Sequence, residues 1–161
     1  MATDIRFGTD GWRALIAEDF TFENVARCSQ GLADRLKAEG IAAKGLVVGY
    51  DTRFLSREFA ERVAMVMAGN GIKAYLSEKA APTPVVSFNV LHNQAAGAAI
   101  ITASHNPYDD NGIKFFRHDG YKLDDTIEQQ IENLVFSGEI DHVRPTAGEI
   151  GKAVRIDDAL G

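Results

Sequence analysis

The sequence predicts an α/β fold, a three-layer α/β/α arrangement around a four-stranded mixed, mostly parallel sheet. Helical and strand-like hydrophobic patterns alternate along the chain in the order α-β-α-β-α-β-β-α. That order is typical of a largely parallel sheet covered by helices on both faces. The last two strand-like runs are joined by a polar loop too short for a parallel crossover, so that pair is expected to be antiparallel.

Thr21 is the expected N-cap of the first helix. Phe22, Val25, Ser29, Leu32 and Leu36 follow at helical spacing until Gly40 stops the run. Gly45–Tyr50 is a short apolar run suited to a buried strand. Ser56 is the expected cap of a second helix with Phe59, Val63, Val66 and Met67 on one face. Ile72–Leu76 alternates and reads as the second strand. Thr83 supplies a capping hydroxyl ahead of Pro84, predicting a third helix through Val85, Val86, Phe88 and Leu91. Ala98–Ile101 and Ile113–Phe116 are the third and fourth strands. Asp125 and Glu128 resemble a capping box at the start of a helix carrying Ile127, Ile131 and Val135. Beyond Gly138, the residues Pro145, Gly148 and Gly151 interrupt the pattern, and only Ala153–Ile156 could form a short strand. This predicts a domain over 1–140 and a connector over 141–161.

The 161 residues suit one domain, and 45% hydrophobic with 25% charged residues is an ordinary globular composition. A net charge of −6 disfavours a general nucleic-acid or anionic-membrane binder. The single cysteine, Cys28, excludes a disulfide framework and a multi-cysteine zinc site within the chain. No apolar run approaches the ~20 residues of a membrane span, and Met1–Arg6 is not a secretory signal. The expectation is a soluble cytoplasmic domain without nucleic-acid or membrane partners.

In such sheets ligands gather where loops leave the carboxyl ends of strands. Two polar loops do so: Asp51-Thr52-Arg53, and Thr102-Ala103-Ser104-His105-Asn106-Pro107. A serine at such a turn can expose its hydroxyl while successive backbone N–H groups form a nest for phosphate. Lys114, on the returning strand, could point at the same anion. Asn-Pro and Asn-Gly also read as ordinary turn chemistry, and both readings stand. A serine hydrolase fits poorly, because the loop is not Gly-x-Ser-x-Gly and the adjacent Ser104 and His105 side chains would diverge. A metal site from His105, Asp109 and Asp110 is weak. Phe7-Gly8-Thr9-Asp10-Gly11-Trp12-Arg13 adds glycines, a hydroxyl and an arginine suited to phosphate. Arg13 reads equally as a surface ion-pair residue, and Asp51 with Arg53 as a mutual ion pair stiffening its loop. Cys28 falls within the first helix and reads as core packing.

Taken together, Phe7–Arg13, Gly49–Arg53, Thr102–Pro107 and Asn111–Lys114 resemble the first domain of the α-D-phosphohexomutases. That family includes phosphoglucomutase, phosphomannomutase and phosphoglucosamine mutase. The likeness runs over about residues 5 to 140, and the Thr-Ala-Ser-His-Asn-Pro loop is its most specific part. It implies that Ser104 carries a phosphoryl group between the 1- and 6-positions of a hexose through a bisphosphorylated sugar. It implies proton transfer or charge stabilisation by Lys114, with His105 lining the loop and Arg13 near the reacting group. Thr9, Asp51, Arg53 and Asn106 are implied to bind phosphate or support the loop. Mg²⁺, held here only through the Ser104 phosphate and otherwise by a second domain, and a hexose 1,6-bisphosphate activator are implied as well. The partners implied are the hexose phosphate and the remaining domains of the enzyme.

The sequence lacks an Asp-Gly-Asp-Gly-Asp-Arg loop, a later sugar-recognition motif and a C-terminal phosphate-binding domain. Since catalysis depends on that positioning, the polypeptide alone is expected to be inactive. Two other readings stand beside a glucose- or mannose-phosphate mutase. One is the first domain of a phosphoglucosamine mutase, and the other is a stand-alone, non-catalytic phosphosugar-binding module. A reading frame continuing past Gly161 into an Asp-rich metal loop would favour a mutase.

Overall fold

Leu46–Tyr50 (β2) and Gly97–Ile101 (β4) are buried along their whole length and lie side by side near the middle of one sheet. Burial on both faces is what continuous apolar runs without alternation require. In chain order the remaining elements are β1 (Trp12–Leu15), α1 (Phe22–Ala38), a 3₁₀ turn (Ala42–Lys44), α2 (Ser56–Gly69), β3 (Ala74–Ser77), α3 (Thr83–His92), β5 (Asp110–Arg117), α4 (Asp125–Phe136) and β6 (Val154–Ile156). The computed structural model describes residues 5–8, 10–136 and 154–156. Most of the expected connector therefore lies outside the described residues.

The sheet order is β1-β5-β4-β2-β3-β6. β4, β2, β3 and β6 pair in parallel, whereas β5 pairs antiparallel with both β4 and β1. The sheet is thus mixed, with six strands rather than the four expected. β1 is not among the expected strands because four residues of mixed polarity carry little periodic signal, and its partner lies about a hundred residues away (Trp12 opposite Ile113). β6 falls within the expected connector, at its one short strand-like segment.

Alternate side chains divide the core in two. Leu46, Val48, Ala99, Ile101, Ile113 and Phe115 face the layer built from α1, α2 and α4. Trp12, Phe20, Phe59 and Phe22 form a chain of ring contacts there, with centroids 4.5–4.8 Å apart. Val47, Ala98 and Ile100 face the other way and pack with Val86 and Val90 of α3. The three-layer α/β/α expectation agrees with this arrangement. Among the described residues no helix is long and apolar enough to cross a membrane.

Thr21 caps α1 as expected, its hydroxyl accepting from Asn24 N at 3.2 Å. The other three caps differ. Leu55, not Ser56, occupies the N-cap of α2 in a left-handed conformation, which frees the Ser56 hydroxyl for Asp51. Pro82 takes the N-cap of α3, and no side chain caps it. Asp125 is the first residue of α4, while Glu128 turns inward to lie 3.5 Å from Lys122. Burial raises the Glu128 pKa against the opposing Lys122 charge, and its Oε1 has no hydrogen-bond partner. In these cases the preceding loop, through its backbone turn or a side chain five or six residues back, takes the place of the expected cap.

Candidate functional site

Tyr50 and Ile101 are directly paired, so β2 and β4 end at the same level. The loops that start at Asp51 and Thr102 therefore leave the sheet side by side. Asp51 N still donates to Ile101 O at 3.0 Å, extending that tie beyond the strands. This is the carboxyl edge where ligands of α/β sheets gather.

The serine loop is tightly turned. Thr102 N donates to Gly112 O at 2.9 Å, and the Thr102 hydroxyl accepts from Ser104 N at 3.0 Å. Asn106 N donates to Ala103 O, and Asp110 N to Pro107 O. Ser104 takes a φ of 53°, the left-handed region that favours glycine. A non-glycine residue is held there only when its surroundings over-determine it, at a cost of order 1 kcal/mol. Ser104 is exposed at the surface of the loop.

Arg53 supplies the over-determination. Its guanidinium donates to the carbonyls of Ser104 (2.8 Å), Asn106 (2.6 Å), Pro107 (2.6 Å) and Asp110 (3.1 Å). One planar cation thus ties four carbonyls together, which suits a five-donor fork better than a lysine point charge. Asp51 positions that fork: its Oδ1 accepts from Arg53 N and its Oδ2 lies 3.6 Å from Arg53 Nε. Asp51 is held in turn by the Ser56 hydroxyl at 2.6 Å, and Ser56 by the fully buried Asn111 at 2.9 Å. Asp51 and Arg53 thus form an ion pair beside the loop, and Arg53 is hydrogen-bonded to four of its carbonyls. Arg53→Ala is expected to speed amide exchange at Asn106 and Asp110 by roughly 10- to 100-fold, the loss of one or two charge-assisted hydrogen bonds. Exchange followed by mass spectrometry or NMR reads this directly, and unchanged rates would remove Arg53 from its supporting role.

Arg13 approaches from β1. It donates to Asn106 Oδ1 at 2.7 Å and pairs with Asp10. Asn106 also donates to Asp110 Oδ2 at 3.0 Å, which fixes which face its amide turns to Arg13. Lys114, on β5 opposite Ile100, is 8% exposed and donates to Asp10 at 2.9 Å. Close backbone approach at this corner depends on Gly112, where a Cβ would meet the Thr102 and Trp12 carbonyl oxygens at 2.7 Å.

The structure thus brings together Arg13, Asp51, Arg53, Ser104, Asn106 and Lys114. His105 is exposed next to Ser104 and takes no part in the network above. Thr9 lies outside the described residues. Sequence reasoning missed Asp10, Ser56 and Asn111. Asp10 had a signal, an acid three residues before an arginine within the glycine-rich segment; the bond between Ser56 and Asn111 had none, because its partners lie 55 residues apart. Burial pushes the Cys28 thiol up to about 12, as packing rather than nucleophilic chemistry requires. Among the described residues no group of three or more His, Cys, Asp or Glu side chains could hold a metal ion.

A mixed sheet covered on both faces, with a clamped serine-bearing loop and converging cations at its carboxyl edge, defines an α/β/α domain of a recognisable class. The family model for phosphoglucomutase/phosphomannomutase, alpha/beta/alpha domain I, matches residues 4–141, and the chain belongs to that family. It is 42% identical over 160 residues to a phosphoglucosamine mutase from Anaeromyxobacter sp. (strain Fw109-5) and 40% identical over 156 residues to one from Syntrophotalea carbinolica. Each alignment covers 96% of this chain and 34% of the relative. A crystal structure from Thermus thermophilus, assigned provisionally as a phosphomannomutase, superposes with a TM-score of 0.84 at 38% identity, covering 98% of this chain and 34% of that one. The chain spans about a third of the length of these relatives.

Proposed function

We propose that this chain acts as the phosphoserine-bearing first domain of a phosphohexomutase, an intramolecular phosphotransferase that interconverts hexose 1- and 6-phosphates. The observation that carries the reading is the Arg53 clamp on four carbonyls, which holds the exposed Ser104 in a strained turn. Residues 1–140 would form the domain, and 141–161 would lead to the remaining two thirds, which would complete the cleft and choose the sugar.

In this reading the phosphorylated Ser104 donates to the free hydroxyl of a hexose monophosphate. The serine O–P bond breaks, a new P–O bond forms to the sugar, and the proton of the sugar hydroxyl ends on the released Ser104 oxygen. The bisphosphorylated sugar then turns over and returns its other phosphate to Ser104. A stable covalent carrier splits one awkward transfer into two in-line displacements. Arg13, attached to the serine loop through Asn106, would neutralise the equatorial oxygens. Lys114 supplies a second positive charge and a proton-transfer group. His105 lines the exposed side of the loop, and Thr9 belongs to the same phosphate-binding segment. Mg²⁺, when bound, would supply Lewis-acid neutralisation of the phosphoryl charge; this chain would hold it through the Ser104 phosphate, with the other ligands outside the chain. A hexose 1,6-bisphosphate would prime the serine. The setting proposed is cytoplasmic, where the buried Cys28 stays a thiol.

The names of the curated relatives favour glucosamine phosphate as the sugar over glucose or mannose phosphate. The test joins this domain to the rest of such a mutase and incubates it with a hexose 1,6-bisphosphate. Peptide mapping is expected to place the added phosphate on Ser104, and labelling of another residue would overturn the assignment. Assay with Mg²⁺ against the 1-phosphates of glucose, mannose and glucosamine then ranks the sugars.

A further inference from the structure

Asp10 stands at a junction that the reaction scheme above leaves unused. Gly8 N donates to Gly11 O at 2.9 Å, closing a turn that carries Asp10. Gly11, at a φ of 84°, lets this turn press onto β5: a Cβ there would lie 2.4 Å from Ile113 O and 2.9 Å from Lys114 Cγ. The Asp10 carboxylate accepts from Lys114 and from Arg13, and the other arm of Arg13 reaches Asn106 of the serine loop. Asp10 therefore links the buried lysine of the sheet to the loop that carries Ser104.

The three partners differ in exposure. The side chains of Arg13 and Lys114 are 15% and 10% exposed, whereas that of Asp10 is 50% exposed. The two cations cannot turn to water without unpacking, but the carboxylate can. Burial raises the Asp10 pKa, yet hydrogen bonding to Lys114 and the charges of Lys114, Arg13 and Lys122 outweigh it and hold the carboxyl below its usual value of 3.8. At neutral pH Asp10 is thus an anion on the donors that a phosphoryl group beside Ser104 would need.

We propose that Asp10 is a positioning residue that holds Arg13 and Lys114 together as one two-cation clamp and yields them to the phosphoryl group during transfer. The inference rests on the reading of Ser104 as the phosphoryl carrier. It explains how two cations stay side by side without a bound anion, and it makes Asp10 a competitor of phosphate for the same donors.

Inorganic phosphate titrated into this chain, followed by NMR, tests the competition without any catalysis. Asp10→Asn keeps the shape and removes the charge, so phosphate is expected to bind about 3- to 10-fold more tightly than to the parent chain. In the parent, the Asp10 carboxyl carbon signal is expected to move as phosphate saturates. In the active polypeptide carrying this domain, Asp10→Asn is expected to lower KM and to lower kcat by roughly 10- to 100-fold, since freed cations bind anions better and place them worse. Unchanged phosphate affinity in Asp10→Asn overturns the proposal. So does an Asp10 signal indifferent to phosphate in the parent, a readout that stands even where the variant fails to fold. Failure of Ser104 to take up phosphate would instead sink the mutase reading and leave the titration as an independent result.

Discussion

Ser104→Ala, in the polypeptide that joins this domain to the rest of a mutase, is expected to lower turnover by at least about 10⁴-fold while the domain stays folded. The Ser104 hydroxyl is the covalent carrier in the proposed scheme, while the other hydroxyl of the loop, Thr102, is buried and accepts from Ser104 N. The fold should tolerate the change, because the Ser104 side chain is exposed and the loop is fixed through backbone carbonyls on Arg53. Ser104→Gly sharpens the point. Glycine occupies the left-handed conformation at φ 53° without strain, so this variant is expected to be as inactive yet to gain up to about 1 kcal/mol of stability. Turnover assays beside thermal unfolding read both effects. Activity retained in either variant would end the phosphoserine assignment.

Lys114→Met is expected to reduce kcat by about 10²- to 10⁴-fold, the range of a general acid–base or charge-stabilising group. Methionine matches the aliphatic stem of this 8% exposed residue, so stability should change by no more than about 1 kcal/mol. Asp10 reports the change independently. Its carboxyl lies below 3.8 because cationic neighbours outweigh burial, so its stabilising contribution is present above the unfolded value and is lost as pH falls through the lowered one. Without the Lys114 ammonium, the carboxyl should move back up and that acid-side contribution should shrink. An NMR titration of Asp10 in the two proteins measures the shift. Unchanged kinetics in Lys114→Met would leave Lys114 as a strand residue alone.

The helices and the three parallel-paired strands expected from the sequence are legible because their signals are local. Thr21 and Phe22–Leu36 set a helix within one stretch of chain, and Leu46–Tyr50 shows its burial as an unbroken apolar run. The antiparallel return of β5 is legible too, since a short loop allows no crossover. The expected caps at Ser56 and Glu128 differ because each side chain is drawn to a nearby residue of the preceding loop, Asp51 and Lys122, instead of its own helix end.

The site divides along the same line. Residue identities at the strand ends, Ser104 with His105 and Asn106, Asp51 with Arg53, and Arg13, stand in the sequence as segments suited to phosphate. Their chemistry belongs to side-chain type and turn position, which a single segment carries. What those residues do to one another is decided by the sheet. The Arg53 clamp spans 51 to 57 residues of sequence, and the Asp10–Lys114 pair spans 104. β1 exists only because Trp12–Leu15 finds β5 across the fold. Local propensity and turn chemistry act over a few residues, so the sequence alone determined the layers and the candidate groups. Hydrogen bonds to a strained loop and a carboxylate shared by two cations require the chain to be closed on itself, and only the tertiary structure decided them.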